Sequence, residues 1–253
     1  MRMKKSRRWL SALLAVLMLL TMIPTVAFAA GSTSDDFYKI VHLDCGRKYF
    51  TKDWIIALLH EMEADGFNQL QLAFGNDGLR FLLDDMSFTA NGTTYSHDTV
   101  VSKVESGNKA QNSSGDSSWL KQSEMDEIIS TANTLGIEIV PLLNLPGHAN
   151  AILDIFDDAY NASGSNNTFD VTKEQAVNAA TAIFQKYVDY FSGKGCKFFN
   201  FGADEYANDA SGAFSFSRLN SAEYQKFVDF INSMAAYIKG KGMTPRAFND
   251  GLE

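Results

Sequence analysis

Cysteine, histidine and positive charge are all scarce in this chain. Two cysteines, Cys45 and Cys196, and four histidines are spread over 253 residues. There is no His-x-x-x-His pair and no cluster of cysteines, so the ligand spacing of a zinc site is missing and no metal is expected. No Gly-x-Gly-x-x-Gly follows the first apolar run, which removes the usual sequence ground for a dinucleotide site. No cofactor is expected either. Lysine and arginine total 22 against 30 aspartates and glutamates, a formal charge of −8. So acidic a chain disfavours nucleic acid and anionic membrane surfaces as partners and leaves neutral polymers such as glycans.

Much of the positive charge sits at the N terminus. Arg2, Lys4, Lys5, Arg7 and Arg8 precede an apolar stretch over residues 9–20, and Ala27-Phe28-Ala29 offers the small-x-small pattern of a processing site. This reads as a secretory signal peptide over residues 1–29, with Pro24 arguing against a retained membrane span. Removing five of the 22 basic residues leaves 17 against 30 acidic ones, or −13. The expected product is secreted or held at the cell surface. Residues 30–37 form a polar leader, and residues 38–253 are read as one domain.

Within that domain apolar runs with period two alternate with runs of helical period. Residues 40–43 form a short strand ending at Asp44-Cys45-Gly46-Arg47. Ile55, Leu58, Leu59 and Met62 give a helix stopped by Gly66, and residues 68–74 alternate as a second strand. The polar stretch 75–118 is either a functional loop or a partly structured insertion, with Asp84 and Asp85 as solvated loop and Asn91-Gly92-Thr93 as a glycosylation acceptor pattern. Ser123 with Asp126 resembles a capping box ahead of Met125, Ile128, Ile129 and Ala132. Residues 137–143 are a third strand, running into Asn144-Leu145-Pro146-Gly147-His148. Thr172 opens a helix with Ala176, Ala179, Ala180, Ile183, Phe184, Tyr187 and Phe191 inward. The run Phe198-Phe199-Asn200-Phe201 is a fourth strand, and it stops in Gly202-Ala203-Asp204-Glu205. Ser221 caps a last helix, and residues 243–248 begin a fifth strand.

Repeated strand–helix units imply a parallel sheet covered by helices. Polar residues follow every strand: Asp44 and Arg47, Asp77 and Arg80, Asn144 and His148, Asp204 and Glu205, Asn249 and Asp250. One ring of strand ends would bring them around a single pocket, which favours a (β/α)8 TIM-type barrel over a doubly wound sheet. A closed barrel has eight strands in about 250 residues. This chain is therefore read as a barrel truncated after about five. Cys45 and Cys196 fall at opposite ends of their strands and are expected as free buried thiols. Asp204 and Glu205 can act together only if the strand ends by Gly202 or Ala203, since regular alternation would send them to opposite faces.

Four motifs in order, Arg47-Lys48-Tyr49-Phe50, Asn76-Asp77-Gly78-Leu79-Arg80, Pro146-Gly147-His148 and Gly202-Ala203-Asp204-Glu205, together resemble family 20 of the glycoside hydrolases. That family comprises β-N-acetylhexosaminidases and relatives such as lacto-N-biosidases. The resemblance implies a retaining glycosidase acting on an N-acetylhexosamine-containing oligosaccharide or glycoconjugate. It casts Glu205 as general acid and Asp204 as the carboxylate orienting the substrate's 2-acetamido group, the substrate-assisted exception to the two-carboxylate rule. Arg47 would bind sugar hydroxyls, Asp77, His148 and Asn144 would complete the substrate-binding set, and Arg80 would position Asp77. Asn144 stands where members commonly have an acid, Ala203 where glycine is more usual, and Tyr206-Ala207-Asn208-Asp209 is closer to the lacto-N-biosidase-like members. Members also take a tyrosine and tryptophans from later strands. The alternative expectation is accordingly a catalytically incompetent fragment or glycan-binding remnant.

Overall fold

The computed structural model describes residues 37–111, 115–206 and 221–249. The signal segment, all but the last residue of the leader, residues 207–209 of the Tyr206 motif, and Asp250 lie outside them.

In chain order the elements are β1 (Ile40–Asp44), α1 (Lys52–Ala64), β2 (Gln69–Asn76), β3 (Gly78–Leu79), β4 (Phe88–Ala90), β5 (Thr93–Tyr95), α2 (His97–Ala110), α3 (Gln122–Thr134), β6 (Glu138–Leu145), α4 (Asn150–Leu153), a 3-10 turn (Asp158–Tyr160), α5 (Glu174–Gly193), β7 (Phe198–Gly202), α6 (Ser221–Gly240) and β8 (Thr244–Arg246). Five strands pair in parallel in the order β1-β2-β6-β7-β8, and β3 folds back antiparallel on β2. The order follows the sequence without reversal. A doubly wound sheet would reverse at a switch point, so the topology is that of a barrel, open between β1 and β8 among the described residues.

Local chemistry accounts for most element ends. Thr51 caps α1 by accepting from the Trp54 amide at 3.3 Å, and Ile55, Leu59 and Met62 fill its buried stripe. The cap of α3 departs from the sequence reading. The Lys121 amide donates to Glu124 Oε2 at 2.8 Å, so the reciprocal partner is Glu124 rather than the Ser123 and Asp126 pair. Asp126 is instead drawn to α5, accepting from Tyr190 at 2.6 Å and pairing with Lys194 at 2.8 Å. Helix α5 starts at Glu174, two residues after Thr172, because the Thr172 amide and hydroxyl are both taken by the Asp170 carboxylate.

The polar stretch 75–118 is largely structured. It holds the β4–β5 hairpin, which turns through Asn91 and Gly92 with φ of 53° and 77°, and α2, capped by Ser96. Asp84 and Asp85 are exposed within it, as expected. Asn91 is not a free acceptor: its Nδ2 donates to Gln175 O at 2.9 Å and its Oδ1 accepts from Asn178 at 3.0 Å.

Alternation gives β2 and β7 two unlike faces. Leu70, Leu72, Phe74, Phe199 and Phe201 point to the helices, where Phe74 meets Tyr187 and Phe191 at 4.8 and 5.3 Å and Phe199 meets Phe184 at 5.5 Å between ring centres. The other face carries Gln69, Gln71 and Asn200, bonded to Arg246, His42 and each other. Cys45 and Cys196 are both buried and free. Burial pushes both thiols up, Cys196 to about 12, which makes them poor nucleophiles.

Candidate active site

Every residue singled out for chemistry leaves the sheet at the C-terminal end of a strand: Arg47 after β1, Asp77 after β2, Asn144 and His148 at and after β6, Asp204 and Glu205 after β7. The chain has to bend sharply at each exit. Asp77, His148, Ala203 and Glu205 have φ of 60°, 50°, 69° and 57°, and with Asn91 they are all the non-glycine residues with positive φ among those described. Left-handed backbone at such residues costs on the order of 1–3 kcal/mol each and persists where surrounding contacts enforce it. Gly202 relieves the same bend, with φ of 74°, and a Cβ there would collide with the Asn144 side chain lying against it. Strand β7 therefore ends at Gly202, and Asp204 and Glu205 escape strict alternation.

The side chains converge on His148, which is only 9% exposed. Its Nδ1 is 3.0 Å from Asp77 Oδ1, and its Nε2 is 3.1 Å from Glu205 Oε2 and 3.5 Å from Asp204 Oδ2. Nδ1–H donates to Asp77, and Nε2 faces the acid pair, as donor to a carboxylate or as acceptor from an acid that holds its proton. Burial opposes a positive charge on the ring. The Asp77 hydrogen bond and the charges of Asp204 and Asp77 outweigh it, and the imidazole is pushed up to about 8. His148 gathers three acids around one centre.

Arg47 forms the opposite wall. Its Nε donates to Asp77 Oδ2 at 2.7 Å and its Nη1 to Asp44 Oδ2 at 3.2 Å, while Nη2 lies 3.3 Å from His148 Nδ1. Burial works against its charge too, but the bond to Asp77 and the charges of Asp77, Asp44 and Asp204 raise its pKa further. Asp77 answers in kind. Burial would raise its pKa, and the bonds to His148 and Arg47 hold it below the usual carboxylate range. Half of Arg47 remains exposed, and Glu205 is 47% exposed. Donors and an acid therefore face open space above a fixed floor.

Asn144 is buried beside the acid pair. Its Nδ2 donates to Asp204 Oδ1 at 2.7 Å and to Asn76 Oδ1 at 3.1 Å, and Asn76 Nδ2 in turn donates to Asp44 Oδ2 at 2.9 Å. An ionised acid at position 144 could not donate to Asp204. An amide can, and it fixes the orientation of that carboxyl group.

All six residues expected in the site are thus brought together. Arg80 is not placed as expected. It is fully buried and donates to four backbone carbonyls, Gly46 at 3.3 Å, Asp116 at 2.9 Å, Ser118 at 2.8 Å and Asn108 at 3.2 Å. Its chain leaves Asp77 in the opposite direction, along β3, so it clamps the Arg47 loop and the ends of the 81–118 excursion instead of touching Asp77. Asp44, expected at the pocket as a polar strand end, joins the six; Asn76, read only as part of the Asp77 motif, is the participant not singled out, and its one signal was position, at the last residue of β2 next to Asp77. A separate cleft of about 410 Å³ lies between α2 and residues 150–166, walled by Lys103, Asn150, Asp154 and Asn161. None of the six residues lines it.

Comparison with known proteins finds relatives of this chain. A solved structure of the pneumococcal virulence factor StrH, studied for N-glycan recognition and hydrolysis, is 40% identical, with a TM-score of 0.78 over 85% of this chain and 54% of that one. Lacto-N-biosidase of Bifidobacterium bifidum is 30% identical over 149 residues, 53% of this chain and 13% of that protein. Beta-hexosaminidase of Vibrio vulnificus is 21% identical over 85% of this chain and 30% of that protein. The chain spans about half of the solved StrH chain and less than a third of the other two relatives. Residues 37–253 match the profile described as glycosyl hydrolase family 20, catalytic domain, and with four strand-end motifs meeting at one histidine, the chain belongs to that family.

Proposed function

We propose that this chain supplies the acid pair of an exported, retaining glycosidase that releases terminal N-acetylhexosamine, or lacto-N-biose, from glycans with the help of the substrate's own acetamide. One observation carries the reading: a single imidazole nitrogen lies 3.1 Å from Glu205 and 3.5 Å from Asp204, so both acids meet at one point.

In this mechanism Glu205 gives its proton to the glycosidic oxygen as the bond to the anomeric carbon breaks. The acetamide carbonyl oxygen attacks that carbon from the other face, forming an oxazolinium-type ring. Asp204, oriented by the Asn144 hydrogen bond, accepts from the acetamide N–H and offsets the positive charge that develops there. Water then enters as Glu205 takes its proton, and two displacements give retention. Arg47, half open and locked by Asp77 and Asp44, presents its guanidinium fork to sugar hydroxyls. The basic N-terminal run and Ala27-Phe28-Ala29 support export, for which N-terminal sequencing of culture medium should find a product starting near Ala30.

The test is Glu205→Gln, assayed on a natural glycan and on a nitrophenyl N-acetylglucosaminide. A positioned acid contributes about 10²–10⁴-fold, and a good leaving group needs less of it. Turnover of the glycan should fall by that order and that of the aryl glycoside by far less; equal, small losses on both would remove Glu205 from its role. Mass analysis of the released sugar separates a mono- from a disaccharide product. A second reading, a glycan-binding remnant without turnover, draws on the β1 and β8 edges, which pair with no further strand among the described residues. It predicts sugar binding lost in Arg47→Ala with no hydrolysis in the unmutated chain.

A further inference from the structure

Beneath the acid pair, on the polar face of the sheet, runs a second hydrogen-bond chain that the mechanism above does not use. The Gly202 amide donates to Asn200 Oδ1 at 2.8 Å, Asn200 Nδ2 donates to Gln71 Oε1 at 3.0 Å, and Gln71 Nε2 meets His42 Nδ1 at 2.9 Å. The far end returns to its origin. The His42 ring meets the edge of Phe248 at 6.3 Å between centres, and the Phe248 amide donates to Gly202 O at 2.8 Å. Both backbone groups of Gly202 are therefore tied to one circuit that crosses β1, β2, β7 and the segment after β8.

Its polarity is not free. A backbone N–H can only donate, so the Asn200 oxygen must face Gly202, its nitrogen must face Gln71, and the Gln71 nitrogen must face His42. His42 Nδ1 is the terminal acceptor. The registered pairing of β7 with β8 ends at Asn200 opposite Arg246, and just beyond it the Asn200 side chain takes the Gly202 amide. The strand can then leave the sheet at Gly202 and pass through the left-handed Ala203 and Glu205.

We propose that Asn200 is a positioning residue for the acid pair: held in one orientation by Gln71 and His42, it captures the Gly202 amide and thereby sets the turn that aims Asp204 and Glu205. The proposal rests on the reading of those two acids as catalytic. Asn200 touches no reacting atom, so its loss should appear in kcat and leave KM, set by Arg47 and its partners, nearly unchanged.

The experiment compares Asn200→Ala, Asn200→Asp and Gln71→Met in the full chain, with two readouts: amide exchange at Gly202 by NMR, which needs no activity, and kcat and KM on a nitrophenyl N-acetylglucosaminide. Misplacing a reacting group by about 1 Å costs about 10²-fold, so Asn200→Ala should lose ten- to a hundredfold in kcat, change KM less than about threefold, and exchange Gly202 at least tenfold faster. In Asn200→Asp the carboxylate still accepts the Gly202 amide, Gln71 turns to donate to it, and His42 moves its proton to Nδ1. Protection and most of kcat should return. Gln71→Met leaves the Gly202 contact but frees its orientation, and gives an intermediate loss if Asn200→Ala does not fold. Normal kcat in Asn200→Ala, in a protein whose turnover of the natural glycan Glu205→Gln cuts by about 10²–10⁴-fold, overturns the proposal and spares the catalytic reading. If Glu205→Gln keeps its glycan turnover, or the unmutated chain has none, unchanged Gly202 exchange in Asn200→Ala overturns the proposal by itself.

Discussion

The two faces of β7 differ more than any two elements of the molecule. Phe199 and Phe201 sit among Phe184, Phe191 and the rest of the helix-side core, whereas Asn200 and Gly202, alternating with them, sit in a mesh of directional bonds beneath the acids. Apolar contact is additive and forgiving of small shifts, while a hydrogen-bonded amide has one acceptable orientation. Stability is concentrated on one side of the strand and aim on the other, with a single residue step between them.

The sharpest way to break that contrast is on the helix side. Phe199→Ala should cost about 3–5 kcal/mol by lost burial and the cavity left behind, read as a lowered urea midpoint, and the surviving folded fraction should keep its KM. A selective loss of turnover without loss of stability would show that the faces are not separable. Next comes Arg80→Met, which leaves carbonyls of Gly46, Asn108, Asp116 and Ser118 without their donor. Roughly 3 kcal/mol or more is expected from breaking so buried a charged network, with sugar affinity falling as the Arg47 loop loosens. Unchanged affinity in the folded variant would confine Arg80 to stability.

The smallest effect is that of pH. His148 is held at about 8, against an ordinary value of 6.5. Its folded form binds a proton more tightly than the unfolded chain does, so the stabilisation is complete below about pH 6.5 and disappears as pH rises through about 8. About 2 kcal/mol is involved at most, from 1.36 kcal/mol for each pH unit between the two values. Urea unfolding at pH 6 and pH 9 measures it, and His148→Gln should flatten that part of the profile. An equal slope in the variant would place the titration elsewhere.

Much of this architecture was legible in the sequence because it is periodic. Alternation marked β2, an apolar run marked β7, a 3.6-residue stripe marked α5 almost residue for residue, and the order of polar strand ends foretold the cluster around His148. What was not legible depends on contacts distant in the chain. Helix α2 buries only Val100, Val104, Gly107 and Asn108, too thin a stripe to stand out in a polar stretch. Asn76 earns its place from Asp44 and Asn144, 32 and 68 residues away. Arg80 looked like a neighbour of Asp77 because they are three residues apart, but β3 carries the chain off in between. The free thiols followed from placing each cysteine on its strand, and the cap of α3 was missed because Glu124 reached back to a residue with no capping side chain.

The Arg80 clamp has one more consequence. By gripping residues 108, 116 and 118 together with Gly46, it ties the return of the 81–118 excursion to the loop that carries Arg47. The hairpin tip has its own anchor, the bonds of Asn91 to Gln175 and Asn178, so the excursion is moored at two separate points and a change at one leaves the other in place.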